Sequence, residues 1–188
     1  MRYLLMTIIF QCGWFACVLS GARGYLLLPI AAATAVISLN LWLLRGRLAD
    51  GIRLVVWVTL VGFVVESINL TTGVFTLTHP TSYPWLCPAW LLLLWPMFAT
   101  MLRGPLTWLS GRYWLSLLLG AIFAVPNYFV GARLGAVSLN PHLAYTVTIL
   151  VVLWAIAMPA MVWLSRKAGI NLSASARKMA ANGKLASK

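Results

Sequence analysis

Six apolar stretches run through this sequence, and each is long enough to cross a lipid bilayer as a helix of about 20 residues. They cover residues 3–20, 25–44, 54–75, 85–102, 113–131 and 144–164. Hydrophobic residues make up 62% of the 188 residues and charged residues 9%, and a soluble domain cannot bury that much apolar surface. We therefore predict an all-α, polytopic integral membrane protein whose residues 1–165 form a six-helix transmembrane bundle.

The basic residues predict how the chain is threaded, because Lys and Arg are concentrated on the cytoplasmic side of membrane proteins. With both termini cytoplasmic, that side receives all but two of them. They are Arg2, Arg45, Arg47, Arg53, Arg103, Arg112, Arg166, Lys167, Arg177, Lys178, Lys184 and Lys188. The outer side keeps Arg23 and Arg133. A cleaved signal peptide over residues 1–22 stays an alternative, but the bulky Phe-Gln-Cys-Gly-Trp interior favours a retained helix.

Residues 166–188 are rich in Ala, Ser and Lys, which predicts a mostly disordered, basic tail. Its lysines are expected near anionic lipid headgroups, and a docking site for a cytoplasmic partner is the alternative. The net charge of +12 comes from the loops and this tail rather than from one soluble face. Nucleic acid is therefore not an expected partner.

The scarcity of acidic residues excludes several kinds of site. One Asp and one Glu cannot form paired catalytic carboxylates or a carboxylate-bridged pair of metals within one chain. Asp50 lies in a cytoplasmic loop, whereas His79 and His142 lie in outer loops, so no Ser-His-Asp relay can assemble. We predict no metal site and no cofactor. Cys17 and Cys87 share a depth, and a disulfide between them is a minor alternative.

Glu66 is the single glutamate, and it interrupts the apolar run FVVESINLTT at residues 63–72. It lies about 20 Å above the cytoplasmic boundary, where a carboxylate costs on the order of 3 kcal/mol and usually faces the bundle interior. Its helix carries a small and polar face. This face consists of Thr59, Gly62, Glu66, Asn69 and Gly73, at spacings of three and four residues.

The helix at 113–131 carries a matching stripe of Ser116, Gly120, Ala124, Asn127 and Gly131. Small residues let helices approach closely, so we predict that this helix packs on the one at 54–75 with Glu66 beside Asn127. Arg133 either extends to the outer headgroups or turns inward to pair with Glu66. Gln11 and Asn40 are expected to bridge helices. The candidate polar site around Glu66 comprises Ser67, Asn69, Asn127, Tyr128, Arg133, His79 and His142.

Four functional interpretations of this site remain open. Glu66 is a packing residue that fixes helix register, an acid/base or polar anchor in a lipid-handling protein, or the proton-carrying group of a small-solute carrier. The fourth is a scaffold that recruits cytoplasmic enzymes through the basic tail. The carrier interpretation usually needs a homodimer to enclose a path. It is disfavoured because the first three and last three helices show no self-similarity.

The motifs FQCGWFACVLSGA, VVESINL, PAWLLLLWPMFATML and PNYFVGARLGAV resemble those of small bacterial inner-membrane proteins catalogued as domain-of-unknown-function family 2878. The likeness spans most of residues 1–165, and the basic tail departs from it. The resemblance implies a bacterial inner-membrane location. The family's genes are often found near those for cyclopropane-type fatty-acid synthases, photolyases and flavin amine-oxidase-like proteins. This implies a role in membrane lipid modification or in light and oxidative stress, with a membrane-enzyme partner. Glu66, Ser67, Pro126, Tyr128, Gly131 and Arg133 are the positions that the resemblance singles out.

Overall fold

The computed structural model describes residues 1–44, 48–81, 83 and 86–185, with side chains described through Lys167. The helices are α1 (Arg2–Arg23), α2 (Leu27–Leu44), α3 (Leu48–Thr71), α4 (Ala89–Leu92), α5 (Leu94–Arg103), α6 (Tyr113–Arg133) and α7 (Leu143–Leu185), with a 3-10 turn at Thr107–Leu109. Two short strands, β1 (Phe75–Leu77) and β2 (Val137–Leu139), complete the fold. The predictions that involve Arg45, Arg47, Trp85 and the charges of the tail beyond Lys167 lie outside the described residues or side chains.

Among the described residues, five helices are long and apolar enough to cross a membrane: α1, α2, α3, α6 and the part of α7 over Leu143–Lys167. The predicted multi-pass helical architecture is thus confirmed for five of the six expected spans. Helix α7 continues past its predicted end at residue 164. The predicted disorder of residues 166–188 in solution stays a prediction.

The expected helix at 85–102 is shorter than predicted and broken in two. It begins at Ala89, after Pro88, and is interrupted at Leu93. Pro96 explains the break, because it has no N–H to donate to the carbonyl of Leu92 and its ring crowds that carbonyl. The pair α4–α5 is therefore an apolar segment below the length of an ordinary membrane span.

Helix α5 lies inside the bundle, where other helices surround it. It packs on α1, α2, α3 and α7, and Trp95, Met97, Ala99 and Leu102 are all almost completely buried. Asn40 donates from Nδ2 to Oγ1 of Thr100 at 2.9 Å. This bond ties α2 to α5, so Asn40 bridges helices as predicted.

The two strands form an antiparallel pair that closes one end of the bundle, the hairpin end. The opposite end, the basic end, is where α1, α3 and α6 begin and where Arg2, Arg103 and Arg112 lie. Helix α3 ends at Thr71, four residues earlier than predicted, and Phe75 belongs to β1. Phe75 and Val137 are buried while Thr76 and Ser138 are exposed, so the sheet covers the interior with one face.

Helices α3 and α6 end in the same way: two residues after each helix, a glycine with positive φ leads into a strand. These glycines are Gly73 (φ 69°) and Gly135 (φ 82°), and both lie in the left-handed region that favours glycine. The hydrogen bonds around the two turns correspond one to one. The N–H of Gly73 donates to Leu70 O, and the N–H of Gly135 donates to Ala132 O. In the same way, Val74 N–H donates to Asn69 O and Ala136 N–H to Gly131 O. Between the units, Thr78 N–H donates to Ala136 O and Asn140 N–H to Val74 O. An approximate twofold axis therefore relates α3–β1 to α6–β2.

This internal relation lies outside the comparison of the first three with the last three helices, for which no self-similarity was expected. The repeated unit is a helix followed by a strand, and α1–α2 lies outside it, so comparing the first three with the last three helices aligns the wrong segments. Glu66 and Tyr128 occupy equivalent positions, each seven residues before the glycine of its unit. Few residues are identical between the units, which is why only the backbone makes the repeat visible.

Two glycines of α6 predict opposite responses to an added methyl group. In Gly120→Ala the new Cβ would meet the backbone carbonyl of Trp154 and Cβ of Met158, whereas at Gly131 no atom lies within 4 Å. We expect Gly120→Ala to cost about 1–3 kcal/mol through overpacking. Gly131→Ala should be neutral or stabilising by up to about 1 kcal/mol through helix propensity. Thermal unfolding in detergent compares the two variants, and equal melting temperatures would contradict this packing.

Candidate functional site

A cavity of about 710 Å³ lies between α1 and α6. Helix α1 packs on α2, α4 and α5, while α6 packs mainly on α7, so α1 and α6 face each other across a gap. The lining runs from Thr7 to Val18 on α1 and from Leu119 to Gly131 on α6. At 1.5 Å per residue these stretches are roughly 16 and 18 Å long. The cavity is therefore an elongated groove, parallel to the helices.

The groove is lined mainly by apolar and aromatic side chains. Its aromatic residues are Phe10, Trp14, Phe75, Trp90, Trp95, Phe98, Trp108, Phe123, Tyr128 and Trp154. Glu66 is the one ionisable carboxyl in the lining, and no Lys, Arg or His of the described chain lines it. Thr7, Gln11 and Asn127 supply the remaining polar side chains apart from Tyr128 and the indole N–H groups.

The groove opens sideways, between two helices that are long enough to span a membrane. Gln11 on α1 and Phe123 and Asn127 on α6 line the groove and also lie on the surface, with Phe123 60% exposed. These residues lie within the helices and not at their ends, so this part of the mouth faces the position of the bilayer. At the basic end the groove also reaches Pro105, Leu106 and Trp108, and Trp108 is 48% exposed. At the hairpin end the buried faces of Phe75 and Val137 close the groove.

The carboxyl of Glu66 lies at the inner wall of the groove, 2% exposed, and three donors from three helices bind it. Tyr128 Oη on α6 donates to Oε1 at 2.7 Å, and Trp95 Nε1 on α5 donates to the same oxygen at 3.3 Å. Asn69 Nδ2 on α3 donates to Oε2 and also to the Tyr128 hydroxyl, both at 3.2 Å. Every oxygen of this buried carboxyl therefore has a partner.

Two stacked tryptophans pack beside this network. The rings of Trp95 and Trp154 are 5.0 Å apart at 21°. Trp95 fits against α3 because Gly62 leaves room for its ring. The indole N–H of Trp154 lies beside the Tyr128 hydroxyl, but it is buried without a hydrogen bond to any described residue.

The predicted pairing of Glu66 with Asn127 is wrong, and the adjacent residue Tyr128 takes that place. Asn127 instead donates to the carbonyl of Phe123 at 2.7 Å and lies at the groove mouth. Neighbouring residues on a helix point about 100° apart, so only one of the two can face α3. Helices α3 and α6 also do not pack extensively on each other. The small stripe of α6 receives α7, because Gly120 lies against Trp154 and Met158.

The other predicted site residues are dispersed. Asn69 and Tyr128 contact Glu66 directly, whereas Ser67 lies outside the groove lining and its buried hydroxyl has no partner among the described residues. His79, Arg133 and His142 lie at the hairpin end, are exposed, and do not line the groove. His79 Nε2 is 3.2 Å from the carbonyl of Ala22. Arg133 does not pair with Glu66.

The cysteines are free thiols, so the Cys17–Cys87 disulfide does not form in this structure. Gln11 was predicted to bridge helices, but it does not. Its side chain lies at the groove mouth. Within the described residues, no group of three His, Cys, Asp or Glu side chains is close enough to hold a metal ion.

Sequence reasoning missed Trp95 and Trp154. One signal was present: both tryptophans lie inside apolar stretches, while tryptophans of membrane proteins concentrate near the ends of such stretches. A tryptophan in the middle of a span needs a packing or binding reason, and here it packs against the carboxyl network.

A protein-family model described as "Protein of unknown function (DUF2878)" matches residues 3–160, which is most of the chain. The chain belongs to this family. The resemblance inferred from its motifs is thereby confirmed, and the DUF2878 match covers α1 through most of the membrane-compatible part of α7. No curated protein and no solved structure matches the chain.

The Tyr128–Glu66 bond predicts a specific cost when the hydroxyl is removed. Tyr128→Phe leaves the buried Oε1 of Glu66 with Trp95 alone, and losing a partner of a buried polar group costs about 1–3 kcal/mol. Tyr145→Phe is the matched control, because the Tyr145 hydroxyl donates at 2.8 Å to the exposed carbonyl of Thr72. Thermal unfolding in detergent should show a clearly larger loss for Tyr128→Phe. Equal losses would contradict the buried network.

Proposed function

We propose that this DUF2878 protein binds an elongated apolar molecule drawn from the bilayer, and that it acts in membrane lipid handling. The sideways groove between α1 and α6 is the observation that carries the proposal. Its volume of about 710 Å³ falls within the range of about 300–1,000 Å³ of small-molecule sites. Its length of roughly 16–18 Å suits an acyl or isoprenoid chain lying parallel to the helices.

The route into the groove supports a ligand that arrives through the bilayer. The mouth lies at mid-height between two membrane-compatible helices, so a molecule dissolved in the hydrocarbon reaches it without crossing water. The lining offers mostly aromatic and aliphatic contacts, which bind apolar chains through burial and dispersion. A small hydrophilic solute would not make apolar contacts with this surface.

Glu66 is proposed as the polar anchor of this site, or as its acid/base where the bound molecule is also modified. It is the one carboxyl that lines the groove, and the hydroxyl of Tyr128 is positioned beside it. The bound molecule could then pass to a membrane-enzyme partner. The groove forms within one chain, so the ligand site itself does not need a homodimer.

The membrane and orientation are also proposals. Arg2, Arg53, Arg103 and Arg112 lie towards the basic end, whereas Arg23 and Arg133 lie at the hairpin end. By the positive-inside rule this distribution supports a bacterial inner-membrane protein with both termini cytoplasmic and its basic tail near anionic headgroups.

A proton-coupled carrier is the second candidate, and the approximate twofold relation between α3–β1 and α6–β2 favours it. Substrate sites of many carriers lie between internal repeats, and here Glu66 and Tyr128 meet between the two units. In proteoliposomes, a carrier should dissipate an imposed pH gradient faster when its solute is added. The Glu66→Gln variant should abolish that acceleration, and a gradient that no candidate solute affects would count against this function.

The lipid-handling proposal is tested by filling the groove at Gly131. This residue lines the groove and has no atom near an added Cβ, so Gly131→Leu should place its side chain in the cavity without clashing with the backbone. Wild-type protein extracted into nanodiscs should retain a bound apolar molecule, detected by native mass spectrometry. We expect Gly131→Leu to reduce its occupancy by about tenfold or more, which corresponds to roughly 1.4 kcal/mol.

Val130→Leu is the matched control, because Val130 neighbours Gly131 on the same helix, is 39% exposed and does not line the groove. Its occupancy should equal that of the wild type. The proposal fails if the wild type carries no molecule under any extraction condition, or if Gly131→Leu and Val130→Leu retain it equally while both remain folded.

A further inference from the structure

We infer that the molecule in the groove is an uncharged bilayer lipid with a hydrogen-bonding oxygen, such as a hydroxyl or carbonyl, at mid-bilayer depth. This inference rests on the proposed function and names the chemical class of its ligand. It is carried by the polar side chains at the groove mouth, Gln11 and Asn127, which the interior of the bundle does not use.

Both amides lie at a depth where hydrocarbon surrounds the protein. Gln11 is nine residues beyond Arg2, hence about 14 Å from the basic end, and Asn127 is 14 residues beyond Tyr113, hence about 21 Å. In a hydrocarbon layer of about 30 Å these positions flank the midplane. An unsatisfied amide in such surroundings costs several kcal/mol.

The bundle satisfies these amides only in part. Gln11 forms no hydrogen bond with any described residue, and Asn127 uses one N–H to bond the Phe123 carbonyl. One N–H and the carbonyl oxygen of Asn127 remain, together with the whole amide of Gln11. The two side chains lie on opposite helices at the same mouth. A polar group of a molecule in the groove would therefore find donors and acceptors on both sides.

The charges of the lining determine what kind of polar group this is. No Lys, Arg or His of the described chain lines the groove, so a phosphate or carboxylate would find no counter-ion there. The single carboxyl, Glu66, already accepts from Tyr128, Trp95 and Asn69 and offers no positive charge to an anion. A phospholipid keeps its charged head at the membrane surface. An uncharged lipid can place its polar oxygen at the depth of Gln11 and Asn127.

A series of probes with one hydrocarbon body and different terminal groups tests this inference. The series comprises a long-chain alcohol, the matching ketone, the plain hydrocarbon and the matching fatty acid. Each competes with a radiolabelled alcohol for protein in nanodiscs of one zwitterionic phospholipid. We expect the alcohol and ketone to bind wild-type protein about three- to tenfold more tightly than the hydrocarbon, the effect of one net hydrogen bond. The fatty acid should bind no better than the hydrocarbon.

The double variant Gln11→Leu with Asn127→Leu should remove this preference, so that alcohol, ketone and hydrocarbon bind it with equal affinity. Both residues are exposed, so the substitutions should not disturb the core. Phe123→Leu is the control at the same mouth: it alters shape without removing an amide, and it should affect alcohol and hydrocarbon equally. The inference is overturned if hydrocarbon and alcohol bind wild-type protein equally, if the fatty acid binds best, or if the double variant keeps the preference.

The outcomes separate this inference from the function on which it rests. If the hydrocarbon binds and Gly131→Leu prevents it, the groove is a lipid site whatever the terminal group. An absent alcohol preference then overturns only the inference, and a plain acyl chain is the occupant. If no probe binds wild-type protein and Gly131→Leu changes nothing, the proposed function fails as well.

Discussion

The hydrogen-bonded carboxyl of Glu66 is the interaction on which the interior of this bundle depends. A carboxyl group that is buried away from water without hydrogen bonds destabilises the folded protein by several kcal/mol. Its partners come from α3, α5 and α6, so satisfying one side chain fixes the relative positions of three helices. This junction holds α6 at the distance from α3 that a tyrosine spans. The spacing leaves room for the groove between α6 and α1, with Glu66 at its inner wall.

Size complementarity around the junction explains why the groove lies at the side of the bundle, next to α6, and not in its centre. Gly62 admits the ring of Trp95, and Gly120 lets α7 approach until Trp154 stacks on Trp95. Two bulky rings thereby fill the centre of the bundle. Gly131 has no such neighbour, so the absence of its side chain leaves open space. Glycine therefore allows close packing of α6 at Gly120 and leaves open space at Gly131, depending on what lies opposite each residue.

Much of the fold could be predicted from the sequence because bilayer thickness sets helix length and charges mark the ends of spans. The segment at 85–102 was the exception, since apolar composition alone does not distinguish a spanning helix from a buried one such as α5. Pro96 was the sign of its break. The strand pair was not predictable, because Phe75 was the last residue of a predicted apolar helix and the strand partners lie far along the chain.

The candidate site was predictable in part. The cost of a carboxylate in hydrocarbon marked Glu66, and helical spacing placed Asn69 on the same face. Choosing between Asn127 and Tyr128 required the rotation of α6 about its axis, which the packing of Gly120 on α7 determines. The groove itself depends on the gap between α1 and α6, and no local pattern encodes the separation of two helices that do not pack together.

The central claim is that the space between α1 and α6 holds a molecule from the membrane. A crystal structure grown from a lipid mesophase, using protein never exposed to delipidating detergent, tests it most directly. The account predicts continuous, elongated density along the groove between the levels of Thr7 and Gly131, with a polar group at the level of Gln11 and Asn127. A structure in which α6 has closed onto α1, with Phe123 packed against Gln11 and no intervening density, would contradict it.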